Sequence, residues 1–236
     1  RDEEWRYADF AALETLAPEA FGEWKEIELA AGEARRKCLV LDGAGPELHR
    51  VRLTVGEGAR AELFAVNAGV DYARLEVVVR LARAAHFEFG GVTIGGGEAV
   101  REFVTRVEHA EPEATSHQVI RAVHWGTATG NFLGRIEVER DAQKTDAAQD
   151  FKGLILERGA STNAKPELEI FADDVKCAHG AAIGQMDETA RFYMAARGLP
   201  PEVARKLLVR AFVADAFTAL EDGGEQEKML DAALRV

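Results

Sequence analysis

From about residue 24 to residue 184, apolar and polar side chains alternate with a period of two, in short runs separated by Gly, Asn, Asp or Pro. The clearest are Val51-Arg52-Leu53-Thr54-Val55, Ala61-Glu62-Leu63-Phe64-Ala65-Val66, Leu75-Glu76-Val77-Val78-Val79, His86-Phe87-Glu88-Phe89, Phe103-Val104-Thr105-Arg106-Val107 and Leu168-Glu169-Ile170-Phe171. This alternation sends one set of side chains inward and the other outward, as in half-buried strands. The strands follow one another at roughly a dozen residues with no helical pattern between them, which leaves a sandwich, a barrel or a β-solenoid. Spacing alone does not choose among these. Leu63, Val77, Val79 and Phe89 are expected inward. Arg74 and Glu76 fall on the opposite face and are expected to tolerate exchange.

The pattern differs at both ends. Residues 1–22 mix Trp5, Tyr7, Phe10, Leu13 and Leu16 with charges, which reads as a short helical or irregular lead-in closing near Pro18 and Gly22. Residues 23–186 are expected to form the β core and 187–236 a small helical domain. In the latter, Val203, Leu207, Leu208, Phe212 and Phe217 recur at steps of three to five, with Glu202, Arg205, Lys206 and Arg210 mostly on the other side. Pro200-Pro201 mark the start of that helix and Gly223-Gly224 its expected end. Shorter helices are expected over Glu188 to Arg197 and Glu225 to Leu234.

Composition excludes several functions. With 29 Lys+Arg against 41 Asp+Glu the formal charge is −12, which disfavours a generic nucleic-acid binder. Hydrophobic residues at 47% beside charged residues at 30% describe a chain able to build a core. Two cysteines, Cys38 and Cys177, cannot make a disulfide framework or a four-cysteine metal site within one chain. No apolar run approaches the roughly 20 residues of a membrane helix, and the charged N-terminus has no apolar signal region. A cytoplasmic location is expected.

The sequence holds no GxxxxGK[ST] and no GxSxG, and Gly95-Gly96-Gly97 lacks a following Lys, so it reads as a loop between strands. Asp146 with Asp173-Asp174 could supply part of the acidic face of a polysaccharide-cleaving solenoid, but adjacent aspartates on a strand point to opposite sides. Five histidines, His49, His86, His109, His117 and His124, are scattered, and Cys38 is expected in the core. The most distinctive cluster is Asp173-Asp174-Val175-Lys176-Cys177-Ala178-His179-Gly180. In an extended segment Cys177 and His179 share a face about 7 Å apart, within reach of one metal. Thiolate and imidazole suit iron, zinc or copper, and iron–sulfur clusters in particular. Two ligands do not close a site, so others must come from a distant strand or another chain. The alternative is a small buried thiol beside a hydrogen-bonded turn histidine.

Several motifs together resemble a known family. They are Ala142-Gln143-Lys144-Thr145-Asp146-Ala147-Ala148-Gln149, Lys165-Pro166-Glu167-Leu168-Glu169-Ile170, the Asp173 to Gly180 cluster, Gly184-Gln185-Met186-Asp187, Phe192-Tyr193 and Arg197-Gly198-Leu199. The stretch from about Gly134 to Phe217 is similar to the SufD branch of the SufB/SufD family of iron–sulfur cluster assembly proteins, and Glu4-Trp5-Arg6-Tyr7 resembles the family's entry into its β domain. Cys177-Ala178-His179-Gly180 favours the SufD branch over SufB. The resemblance implies a mainly β chain, a right-handed parallel β-helix (β-solenoid) with a small C-terminal helical domain, acting as a non-catalytic scaffold subunit of a SufBCD complex. It implies pairing with a SufB-type subunit and docking of a SufC-type ATPase on the C-terminal helices, expected here at Arg205, Lys206 and Leu207. It also implies that His179, with Cys177, helps hold a transient iron–sulfur cluster shared with the SufB-type partner. Against the family pattern, fewer strands precede Lys144. The rival expectations are a β-solenoid enzyme acting on polysaccharide and a metal-free homodimer joined through strand edges.

Overall fold

The structure, a computed structural model, describes residues 3–235. Its twelve strands are β1 (Lys25–Leu29), β2 (Ala34–Leu41), β3 (Glu47–Val55), β4 (Arg60–Asn67), β5 (Tyr72–Leu81), β6 (His86–Gly95), β7 (Val100–His109), β8 (Thr115–His124), β9 (Thr129–Val138), β10 (Asp146–Ile155), β11 (Ser161–Ile170) and β12 (Lys176–Gln185). Odd strands form one six-stranded sheet and even strands another, each in strict order and parallel throughout. Each strand therefore lies over the strand one full turn earlier. Strands β6, β8, β10 and β12 begin at residues 86, 115, 146 and 176, so a turn takes about 30 residues. The fold is a parallel β-solenoid of about six turns with a small C-terminal helical part.

Alternation works as expected inside the coil. Leu63, Val77, Val79 and Phe89 are all buried in a core that fills the space between the two sheets. Parallel register stacks like positions into columns, and one inward column of the even sheet runs Leu63, Phe89, Gln118, Gln149, His179. A second runs Ala61, Phe87, Ser116, Ala147, Cys177. The first changes from apolar to polar toward the last turn, whereas the second is small and largely apolar there.

The outward faces depart from expectation. Arg74 and Glu76 are buried, because the lead-in lies across the outer face of the odd sheet. Trp5 stacks on the Arg74 guanidinium at 3.9 Å, and that group donates to the Glu4 carbonyl at 2.9 Å. Arg74 also donates to Glu76 at 2.8 Å and Glu102 at 3.0 Å, while Tyr72 donates to Glu102 at 2.6 Å. Within the lead-in, the short helix α1 (Phe10–Leu13) is capped by Asp9, whose carboxylate accepts from the Ala12 N–H at 3.1 Å.

The helical part covers the outer face of the even sheet. It comprises α2 (Glu188–Ala195), α3 (Pro201–Ala214) and α4 (Gly223–Ala233). Val209, Val213, Phe217, Met229 and Leu230 pack with the outward side chains Phe64, Val66, Val92, Ile94 and Val123. The contact is close enough that a Cβ at Gly90 would collide with the Ala216 carbonyl. Arg121 joins the two layers, donating to Asp215 at 2.9 Å and to Asp150 at 2.5 Å. Gly223-Gly224 do not end α3 but open α4. Asp222 accepts from the N–H groups of Gly224 and Glu225 at 2.9 and 3.0 Å, an N-cap that overrides the stop signal of the glycine pair. In the turn before β7, a Cβ at Gly96 would run into the Trp125 indole, which accounts for that part of the triple glycine.

Candidate functional site

The last turn of the solenoid has no turn above it. In β12 only Cys177 is half-buried, and every other residue of the strand is exposed. Cys177 and His179 lie two residues apart on the inward face, as the alternation requires. Cys177 packs beside Ile136, Val138, Ala147 and Ala172. Burial, and then the nearby Asp146 charge, push its thiol above the ordinary cysteine value, so it is protonated until a metal or base displaces the proton. His179 is exposed at the open end of its column. Directly beneath it in register, Gln149 is buried, and its carboxamide oxygen and nitrogen have no hydrogen-bond partner among the described residues. A buried carboxamide without partners is costly, and this one lies next to the exposed end of the column. Sequence reasoning missed Gln149, because its relation to His179 is a spacing of one full turn. The donor set, one sulfur and one imidazole nitrogen on a solvent-facing rung, fits half of a cluster site.

Of the three expected carboxylates, two line one pocket and Asp173 stays outside it. Asp146 and Asp174 line a pocket of about 200 Å³ together with Lys144 and Lys176.

The expected docking residues lie on α3. The face of this helix turned to the sheet carries Ala204, Val209 and Val213, so Val203 and Leu207, expected on the apolar stripe, are exposed. Arg205, Lys206 and Leu207 line an open groove of about 410 Å³ together with Ile94, Trp125 and Leu156. On α2, Phe192 and Tyr193 are also exposed, Tyr193 with the Arg197 guanidinium over its ring at 3.5 Å. The helical part thus presents aromatic and aliphatic side chains to solvent beside cationic ones, an arrangement common in protein interfaces.

The family model described as "SUF system FeS cluster assembly, SufBD core domain" matches residues 41–212. The chain belongs to the SufBD family. It is 33% identical over 175 residues to a SufBD-family iron–sulfur cluster assembly protein of Synechocystis, covering 73% of this chain and 39% of that protein. Identity to the iron–sulfur cluster assembly protein SufD of Escherichia coli is 35% over 126 residues, 53% of this chain and 30% of the relative. A chloroplastic protein of Arabidopsis thaliana, ABCI7, is 46% identical over 96 residues, 41% of this chain and 20% of that protein. The chain thus spans well under half the length of these relatives. Among the described residues no helix is long and apolar enough to cross a membrane.

Proposed function

We propose that this chain is a non-catalytic scaffold element of SUF-type iron–sulfur cluster assembly in the cytoplasm, working with a SufB-type subunit and a SufC-type ATPase. The observation that carries the reading is the uncovered last turn, which presents two iron-compatible side chains where a cluster typically takes four. A partner seated on β11 and β12 would supply the missing ligands and bury the exposed rung. His179 would be the presented ligand. Gln149 beneath it offers a carbonyl oxygen to accept the ring N–H not used for iron, as outer-shell groups commonly do for ligating histidines. Cys177, with its raised thiol and inward packing, would contribute less. Residues 23–186 would serve as the β-helix core and 187–236 as the unit that docks the ATPase through Arg205, Lys206 and Leu207.

The test is anaerobic co-purification with a SufB-type partner and a SufC-type ATPase, reading iron, sulfide and visible absorption. His179→Ala is expected to assemble but to carry little cluster, and Cys177→Ala to show a smaller loss. Wild-type cluster content in the His179→Ala complex would overturn the ligand role. A second reading, a homodimer formed through β12, is favoured by the exposed edge itself. It predicts a concentration-dependent dimer of the isolated chain that dissociates when the SufB-type partner is added.

A further inference from the structure

On the outward face of the even sheet, the solenoid gathers two histidines and a glutamate that are dispersed in the sequence. His86 and Glu88 are alternate residues of β6, and β8 places His117 directly beside Glu88 in register. The two imidazole rings lie 5.8 Å apart at an interplanar angle of 74°, so they do not stack, and both address one carboxylate oxygen. Nε2 of His86 is 3.3 Å from Oε2 of Glu88, and Nδ1 of His117 is 3.8 Å from the same atom.

We propose that His86, Glu88 and His117 form a binding site for a single first-row divalent transition metal, of the Fe(II) or Zn(II) class. Two imidazoles and a carboxylate with open positions form the donor set that such ions take. With metal–ligand bonds of about 2.0–2.1 Å, donor atoms around a tetrahedral ion stand roughly 3.3 Å apart. The His86–Glu88 separation already has that value, and the His117–Glu88 separation must shorten by about half an ångström to meet it. Among the described residues no group of three or more His, Cys, Asp or Glu side chains is already arranged to hold a metal ion. The remaining step falls to His117, whose side chain is 48% exposed and has room to rotate, whereas His86 and Glu88 are 17% and 9% exposed.

The surroundings favour a cation. Nδ1 of His86 lies 2.7 Å from the Thr115 hydroxyl, so in the metal-bound form Nδ1–H donates to that oxygen and the Nε2 lone pair faces Glu88. That is the orientation an outer-shell partner imposes on a ligating histidine. Asp146, which pairs with Thr115 in register, adds negative charge near His117. Arg60 stands beside His86 in register, but Glu62 accepts from it at 2.6 Å. The site is separate from Cys177 and His179, which lie on the inward face two strands away.

The experiment titrates the metal-free chain anaerobically with Co(II), followed by its visible absorption, and repeats the titration with Fe(II) and Zn(II), counting bound metal after dialysis. One equivalent per chain is expected. His117→Ala, at a half-exposed position that leaves the fold intact by circular dichroism, is expected to weaken binding at least tenfold, and Glu88→Gln to do the same. The double variant Cys177→Ala/His179→Ala is expected to bind like wild type. Failure of the wild-type chain to bind any of the three ions would overturn the proposal. So would wild-type affinity in His117→Ala, or binding lost only in the Cys177→Ala/His179→Ala protein.

Discussion

Strands β6 and β12 have the same length, belong to the same sheet and pair in parallel register with their neighbours, yet they live in different environments. In β6 every residue after His86 is buried, whereas β12 is exposed except for the half-buried Cys177. The difference does not come from the strand's own pattern. It comes from what stands on each side: β6 has β4 before it, β8 after it, Phe103 of β7 across the core and the segment after α3 outside, while β12 has β10 before it and, among the described residues, no strand after it in the sheet. In a solenoid, burial is conferred by the neighbouring turn, so an end strand keeps accessible the side chains that an interior strand buries.

The largest expected contrast sets the interior against the end. Val77→Asp places an unpaired charge in the filled core and is expected to abolish folding, a loss above about 4 kcal/mol. Ile183→Asp on β12, at a position 49% exposed, should cost less than about 1 kcal/mol. Urea unfolding of both proteins checks this, and a folded Val77→Asp chain would mean the register is wrong.

Ion pairs should divide in the same way. Arg74→Met strands the fully buried Glu102 with only the Tyr72 hydroxyl and the Asn131 amide, 2.6 and 2.9 Å away, and is expected to destabilise by about 3–5 kcal/mol. Arg135→Met, removing a partly exposed partner 3.7 Å from Glu167 near the last turn, should cost no more than about 1 kcal/mol. Equal losses would erase the distinction between the two regions.

Acid should act on the interior through its buried histidines. Burial holds His109 neutral, with its pKa pushed down to about 4. The unfolded chain takes up that proton near pH 6.5 and the native one only near pH 4. The stabilisation is therefore complete above pH 6.5 and lost as pH falls toward 4, amounting to about 3 kcal/mol over that window. Stability measured against pH should show this limb, and His109→Gln should flatten it. The smallest effect is expected on the groove beside α3, where Arg205→Glu should leave stability within about 0.5 kcal/mol while weakening ATPase association in a salt-dependent manner.

Much of the interior was legible because burial and alternation are local signals, and Leu63, Val77, Val79 and Phe89 show it. The solenoid itself was not legible from alternation, since parallel pairing joins residues about 30 apart and leaves no mark at short range. The same blindness hid the meeting of His86 with His117 and of Gln149 with His179. Arg74 and Glu76 misled because their face was read as solvent, whereas a lead-in some 70 residues upstream covers it. On α3 the apolar pattern was wide enough to admit two faces. Packing chose the one with Ala204, Val209 and Val213, leaving Leu207 outside.

The register described above makes the molecule nearly one-dimensional, each turn holding on mainly to the turn before and the turn after. In such a stack, local opening begins at the ends and travels inward. At the early end, α4 braces the outside of β2, with Glu225 reaching Arg36 at 3.4 Å. At the other end, Lys176, Ala178, His179 and Gly180 are exposed, with no such brace among the described residues. Amide hydrogen exchange should therefore form a gradient, fastest in β12, slower in β10 and slowest near β6. A partner seated on the last turn would stop that fraying at its source, making recognition and rigidity a single event.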